Sequence, residues 1–323
     1  MKIHSATSKN IKKAASIIRA GGLVAFPTET VYGLGADAFN PYAVARIFAV
    51  KKRPFFDPLI VHIGDFSLMK QLCGDIPSLA ERLMRKFWPG PLTFILPKQK
   101  TVPGIVTAGL PTIAVRMPSH PVALAFLKKV NIPIAAPSAN PFGSLSPTEA
   151  VHVTKHLGEA VDIVLDGGRC PVGVESTIID LTAKKPVILR HGALPLEEIE
   201  QFAGKMNIHR GKSKPVCPGS FRYHYAPRTK LKLLSCSSDL GSDLSRKRGL
   251  LAFKAPKNRL SFFQKIEVLS PAGDLHEAAA NLFSCLHKLD EEGLDVIYAE
   301  PVPEAGLGRA IMDRLRKAAQ KTS

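Results

Sequence analysis

The chain has 323 residues, 45% of them hydrophobic and 22% charged, a globular composition with room for one large domain or two ordinary ones. No apolar run approaches the roughly 18 residues that span a bilayer, and the N-terminus lacks the continuous apolar stretch of a secretion signal, so membrane and secreted classes are set aside and a cytoplasmic location is expected. The cysteines (Cys73, Cys170, Cys217, Cys236 and Cys285) form no CxxC pair, against a disulfide framework or structural zinc, while a formal net charge of +17 favours an anionic partner, nucleotide or nucleic acid.

In chain order, the spacing of Ile11, Ala14, Ala15 and Ile18 predicts an amphipathic helix over 8–20, ended by Gly21 and Gly22. LVAF (23–26) reads as a short buried strand, and 28–40, with Gly33 and Gly35, as a loop. A helix over 43–51, a strand over 59–63 and a helix over 78–88 follow, the last stopped by Pro89-Gly90-Pro91. Strands are expected at 92–97, 112–117 and 132–136, and a helix over 147–157 with Ser146 or Thr148 as its start signal. Further strands fall at 163–166, 176–181 and 186–190. Strands and helices interleave irregularly, so the expectation is α/β: a mixed, twisted sheet with packed helices over 1–203.

Residues 204–229 break the pattern, being rich in Gly and Pro and without period, and read as a linker. The charge excess is densest here: residues 201–230 hold 7 Lys/Arg and no acid, against 23 Lys/Arg and 15 Asp/Glu in 1–200 and 14 Lys/Arg and 12 Asp/Glu in 231–323. Strands at 231–235, 249–253 and 295–300 and helices at 275–290 and 308–319 then predict a smaller, Rossmann-like, doubly wound α/β domain over 230–323.

No GxxxxGK[ST] loop, GxGxxG turn, HExxH or GxSxG is present, so a phosphate site has to be assembled from side chains on several elements. Three segments look unlike scaffold. FPTETVYGLGADA (26–38) groups Thr28, Glu29, Thr30 and Tyr32 after a buried strand, where ligands of open α/β sheets sit; a polar turn with capping hydroxyls reads equally from the residues. KKRPFFDPLIVHI (51–63) ends a helix with Lys51, Lys52 and Arg53, where cations also suit the helix dipole, and sets His62 among apolar neighbours in a strand. Arg116 and Arg190 lie in strands of otherwise apolar residues. A buried arginine is costly unless paired; with Arg53 they fit either a phosphate or carboxylate site or internal salt bridges.

Taken together, PTETVYGLG, KKRPxxxPLIVHI, WPGPLT, AVRMP, AAPSAN, SPTEA and GVESTI, in that order between Ile11 and Gly192, resemble the threonylcarbamoyl-AMP synthases of the YrdC type. PGSFRYHYAP and the terminal α/β segment are similar to the long, two-domain form. The resemblance implies that Thr30, His62, Arg116, Ala136 and Ser176 contact threonine, and that Arg53, Thr112, Ser138, Ser146 and Arg190 contact ATP. It places Lys51 at a basic position of the same motif and Tyr225 at a linker residue that reaches the nucleotide. Asp57 stands where members of the family often carry an asparagine that touches ATP; an aspartate there would repel phosphate unless a metal or basic neighbour intervened.

The chemistry so implied joins L-threonine, bicarbonate and ATP, with Mg²⁺, into threonylcarbamoyl-AMP and pyrophosphate. That product would feed a tRNA-modifying threonylcarbamoyl transferase, with the basic linker as a lid against water. Such transfer needs positioning and charge neutralisation rather than a covalent nucleophile. Two other classes compete with this reading. A double-stranded RNA-binding module accounts for the charge but not for arginines inside apolar strands. A carbamoyl transferase for metal-centre maturation, which contains a related domain, should carry paired-cysteine zinc motifs, and none is present.

Overall fold

A computed structural model describes residues 3–183, 185–209, 224–234, 246–256 and 260–320. The chain divides into two compact units, one of residues 1–142, 147–171 and 175–221, the other of residues 143–146, 172–174 and 222–323. Among the described residues no helix is long and apolar enough to cross a membrane.

The first unit contains, in order, β1 (Ile3–Ser5), α1 (Ser8–Arg19), β2 (Val24–Phe26), β3 (Gly33–Asp37), α2 (Pro41–Lys51), β4 (Ile60–His62), α3 (Met69–Leu72), α4 (Ser78–Phe87), β5 (Leu92–Pro97), α5 (Gly104–Thr107), β6 (Thr112–Arg116), α6 (Pro121–Val130), β7 (Ile134–Ala135), α7 (Ala150–Leu157), β8 (Ile163–Asp166), β9 (Thr177–Asp180), β10 (Val187–Arg190), α8 (Leu196–Ala203) and β11 (Asn207–Ile208). Local chemistry sets the helix starts. The Thr7 hydroxyl accepts from Asn10 N at 3.3 Å ahead of α1, and Asn40 Oδ1 accepts from Tyr42 N and Ala43 N ahead of α2, with Pro41 in its first turn. The strands form one mixed eleven-stranded sheet, β1-β8-β2-β3-β7-β4-β6-β5-β9-β10-β11, the mixed α/β architecture expected.

Three expectations are corrected. Residues 33–37, read as loop, are β3, antiparallel to β2 with Gly33 opposite Phe26. A Cβ on Gly35 would stand 2.9 Å from both the Phe26 ring and Ile134, so this glycine makes room for an aromatic ring inside a strand rather than marking a turn. The helix expected from 147 begins at Ala150, because the Pro147 carbonyl is bonded to Tyr32 N at 2.8 Å and holds that backbone against the β2–β3 connection. Within the expected linker, Asn207–Ile208 pair parallel with β10 as an edge strand, and residues 224–229 belong to the second unit.

The sheet has two unlike faces. One lies on the largest core, where Val61, Phe94, Val115 and Ile179 pack with Val44, Ile47, Leu83 and Met84 of α2 and α4. On the other face, Val24, Phe26, Ile134, Ile163 and Leu165 pack against Ala14, Ala15 and Ile18 of α1 and Ala123, Phe126 and Leu127 of α6. Farther along the sheet, Ile60, Ala114, Ile95 and Ile178 form a separate small cluster with none of these helix residues in it.

In the second unit, β12 (Lys230–Leu233), β13 (Arg248–Ala252), β14 (Lys265–Val268), α9 (Leu275–Glu291), β15 (Val296–Ala299) and α10 (Gly308–Ala319) build a parallel sheet in the order β12-β15-β13-β14. Residues 143–146 and 172–174 are packed into it. Ala226 N donates to Gly143 O at 2.8 Å, and His287 Nε2 lies 3.1 Å from Ser146 O. Gly173, at φ 76°, passes so close to α9 that a Cβ would meet the Ala279 carbonyl at 2.4 Å.

Candidate active site

Strand register places the polar residues of the first unit on the small apolar cluster. Ile60 pairs with Ala114 and His62 with Arg116 across β4 and β6, Ala114 pairs with Ile95 across β6 and β5, Thr93 with Ile178 across β5 and β9, and Arg190 with Ile178 across a bulge in β10. Side chains alternate along a strand. One face therefore carries a floor of Ile60, Ala114, Ile95 and Ile178, and around it His62, Arg116, Thr93 and Arg190. Thr112 shares that face at the far end of β6 from Arg116.

At one side stands Arg116, 3% exposed. Its Nη2 is 2.7 Å from Glu29 Oε1, Nη1 donates to Thr30 Oγ1 at 3.0 Å, and Nε donates to Gly90 O at 3.3 Å. Glu29 Oε2 accepts from Ser119 N at 3.1 Å. The turn that supplies Glu29 and Thr30 is tied by the Thr28 hydroxyl, which donates to Val31 O at 2.6 Å and lies 2.8 Å from Thr30 Oγ1. His62 meets the Phe26 ring edge-on, and its buried Nδ1 has no hydrogen-bond partner. Burial, aided by the Arg116 charge, pushes its pKa down to about 3, so the ring is neutral at physiological pH.

At the other side, Arg190 Nε donates to Ser176 O at 3.0 Å and its Nη2 to Ser176 Oγ at 3.1 Å, while Ser176 Oγ lies 2.7 Å from Thr93 Oγ1. Arg53 donates to the carbonyls of Asp57 (3.1 Å) and Pro58 (2.8 Å), and its Nη2 is 2.7 Å from Asp57 Oδ2. Burial raises the Asp57 carboxyl to about 6 although Arg53, Lys51 and Arg190 all favour its charge. The basic neighbour that an aspartate at this position requires is therefore Arg53.

Lys51 is held inside. Its Nζ donates to Ser138 O at 2.6 Å and to Asn140 O, and burial lowers its pKa. Its visible work is to pin the turn that presents Ser138. Ala136 N donates to Ile60 O at 2.9 Å, with its methyl in the α1–α6 core. Ser146 and Tyr225 belong to the second unit. There Tyr225, at φ 63° and 1% exposed, lies under the Arg314 guanidinium, 5.0 Å from its ring centroid.

The structure thus brings together Thr30, His62 and Arg116, pairs Arg53 with Asp57, and sets Ser176 between Arg190 and Thr93, the residue next along β5 from Phe94, which pairs with Val115 beside Arg116. It draws Glu29, grouped with Thr28, Thr30 and Tyr32 in the sequence, onto Arg116, and adds Thr93 and the Gly90 carbonyl. An acid directly after a buried strand was the only signal for Glu29; Thr93 carried none, since one threonine in LTFILP looks like any β-branched strand residue.

The Sua5/YciO/YrdC family, described as Telomere recombination, matches residues 16–192. The family described as Threonylcarbamoyl-AMP synthase, C-terminal domain, matches residues 194–320. The threonylcarbamoyl-AMP synthase of Pyrococcus abyssi is 47% identical over 320 residues, 95% of this chain and 93% of its own. That of Bacillus subtilis is 42% identical over 327 residues, 98% of this chain and 94% of its own. Among solved structures, the crystal structure of P. abyssi Sua5 complexed with L-threonine superposes with a TM-score of 0.89 at 44% identity, covering 97% of this chain and 95% of that one.

Proposed function

The chain belongs to the Sua5/YciO/YrdC family, and from that premise we propose that it makes threonylcarbamoyl-AMP and pyrophosphate from L-threonine, bicarbonate and ATP. The observation that carries this reading is the half-face of sheet left with a small apolar floor and two buried cationic groups around it, Arg116 on one side and Arg190 with Arg53 on the other. A small amino acid needs a carboxylate anchor and a place for a methyl group. A nucleotide needs guanidinium groups for its phosphates.

In this reading Arg116 holds the threonine carboxylate, and neutral His62 with Thr30 meets the hydroxyl. Threonine's amine takes up CO₂ to give a carbamate, whose oxygen attacks the α-phosphorus of ATP as pyrophosphate leaves. Arg190 and Arg53 neutralise the phosphates, and Ser176, fixed by Thr93, sits beside Arg190. Lys51 acts indirectly by fixing the Ser138 turn. Mg²⁺ enters on the triphosphate: Asp57 is the carboxylate of the phosphate-side cluster, and Arg53 already takes it at 2.7 Å, so the residues fit a substrate-borne cation better than a protein-held one. A cytoplasmic site for the reaction suits a product consumed in tRNA modification and a demand for ATP.

The test is pyrophosphate release. It should require threonine, bicarbonate, ATP and Mg²⁺ together, and robust release without threonine would overturn the proposal.

A further inference from the structure

Glu29 is buried at 5% exposure in the turn between β2 and β3, held by Ser119 N on one oxygen and 2.7 Å from Arg116 Nη2 on the other. Although they touch, neither Glu29 Oε1 nor Arg116 Nη2 makes a hydrogen bond of normal geometry. The two are paired in charge yet retain a lone pair and an N–H for a third party. A buried ion pair is a poor stabilising device, since desolvation offsets most of the attraction. Two threonine hydroxyls and a main-chain N–H are spent on keeping this one in place. Those features suit a receptor better than a brace.

Resting on the reading that threonine is the substrate, we propose that Glu29 and Arg116 form a two-charge receptor for the amino-acid zwitterion, with Arg116 on the carboxylate and Glu29 on the ammonium. Glu29 is then the residue that separates an α-amino acid from the corresponding hydroxy acid. A hydroxy acid offers the same carboxylate to Arg116 but brings no cation to Glu29, and must compete with Glu29 for the guanidinium.

The same carboxylate gives the reaction a direction. The ammonium releases one proton to solvent, the nitrogen lone pair adds to the carbon of CO₂, and the second proton leaves, so the nitrogen end changes from one positive to one negative charge. Glu29 attracts the first state and repels the second. That repulsion favours turning the carbamate away from Glu29 and towards Arg190 and its phosphates.

Calorimetry on the full-length chain tests this with two ligands, L-threonine and 2,3-dihydroxybutanoate, in which a hydroxyl replaces the amine. The wild type should bind threonine tighter by roughly tenfold or more, the worth of a charged hydrogen bond. Glu29→Gln should bring the ratio to about one by weakening threonine while sparing or strengthening the hydroxy acid, and Glu29→Asp should keep part of the preference. Equal binding of the two ligands by the wild type overturns the inference without any variant, as does a Glu29→Gln protein that weakens both equally. If the wild type binds neither ligand, the functional reading itself fails, an outcome distinct from both.

Discussion

His62 and Asp57 are both buried ionisable groups, and burial does opposite things to them. Desolvation disfavours the charged form in each case, which keeps the imidazole neutral and pushes the carboxyl up to about 6. A neutral His62 with an unpartnered Nδ1 is equipped to bond the hydroxyl of threonine. Valine would leave that nitrogen without a partner. Serine would forgo only a methyl group, worth about 1–3 kcal/mol. Serine should therefore support more pyrophosphate release than valine, and equal turnover of the two would refute the pairing. For Asp57 the folded state holds its proton more tightly than the unfolded chain. Its cost to folding is accordingly absent below about pH 4, near its ordinary value, and complete once the pH has risen through about 6. Asp57→Asn removes this dependence. The thermal stability of the variant relative to wild type should rise between about pH 4 and pH 6, and its ATP affinity should exceed wild type at pH 8 more than at pH 5. A stability difference that is flat with pH would show that Arg53 compensates the carboxylate fully.

Elements were legible where one physical signal dominated. Apolar runs gave β2, β5, β6 and β9 nearly to the residue, and a helical period gave α1, α9 and α10. What escaped had a reason. β1, β11 and β14 are short, with 3, 2 and 4 residues, too few for a period to declare itself. α6 (PVALAFLKKV) is apolar without interruption from Pro121 to Leu127, so no polar face marks a helical period ahead of Lys128 and Lys129. β3 was hidden by its glycines, which normally weaken strands. Within the site, the arginines announced themselves as cations in apolar strands. Their partners did not: Glu29 and Arg116 lie 87 positions apart, brought together by sheet register that one sequence does not display. β3 also yields a test. Gly35→Ala would place a methyl 2.9 Å from both Phe26 and Ile134. Such overpacking costs typically about 1–3 kcal/mol, and it would shift the strand that anchors the Thr28–Val31 turn. The variant should unfold at lower temperature and bind threonine more weakly. If stability falls with threonine affinity intact, the turn is positioned independently of β3.

Over the whole molecule, the division into units is not the division along the chain. A first domain ending near Ile199 would be cut inside α8, through a residue fully buried in the core, and would also lose β11 from the sheet edge. Residue 209 is the sounder boundary. Most of the basic stretch thought to act as a lid, residues 210–223, lies outside the described residues, while Tyr225 beyond it is buried among Phe283, Arg314 and Lys317 of the second unit. Residues 143–146 and 172–174, though encoded within the first domain, have partners in that unit: Ser144 bridges Ala226, Gly143 accepts from Ala226, Ser146 meets His287, and Gly173 leaves room for α9. A fragment of residues 1–209 retains all eleven strands of the large sheet but none of these partners. It should fold, because the large core is complete within it. It should also melt at a lower temperature than the full chain, with residues 143–146 and 172–174 losing amide protection while β4, β5 and β6 keep theirs. Hydrogen exchange on fragment and full chain checks this directly. Equal protection of the two segments in both would mean that they are held by the first unit alone, and that the second unit contributes nothing to their order.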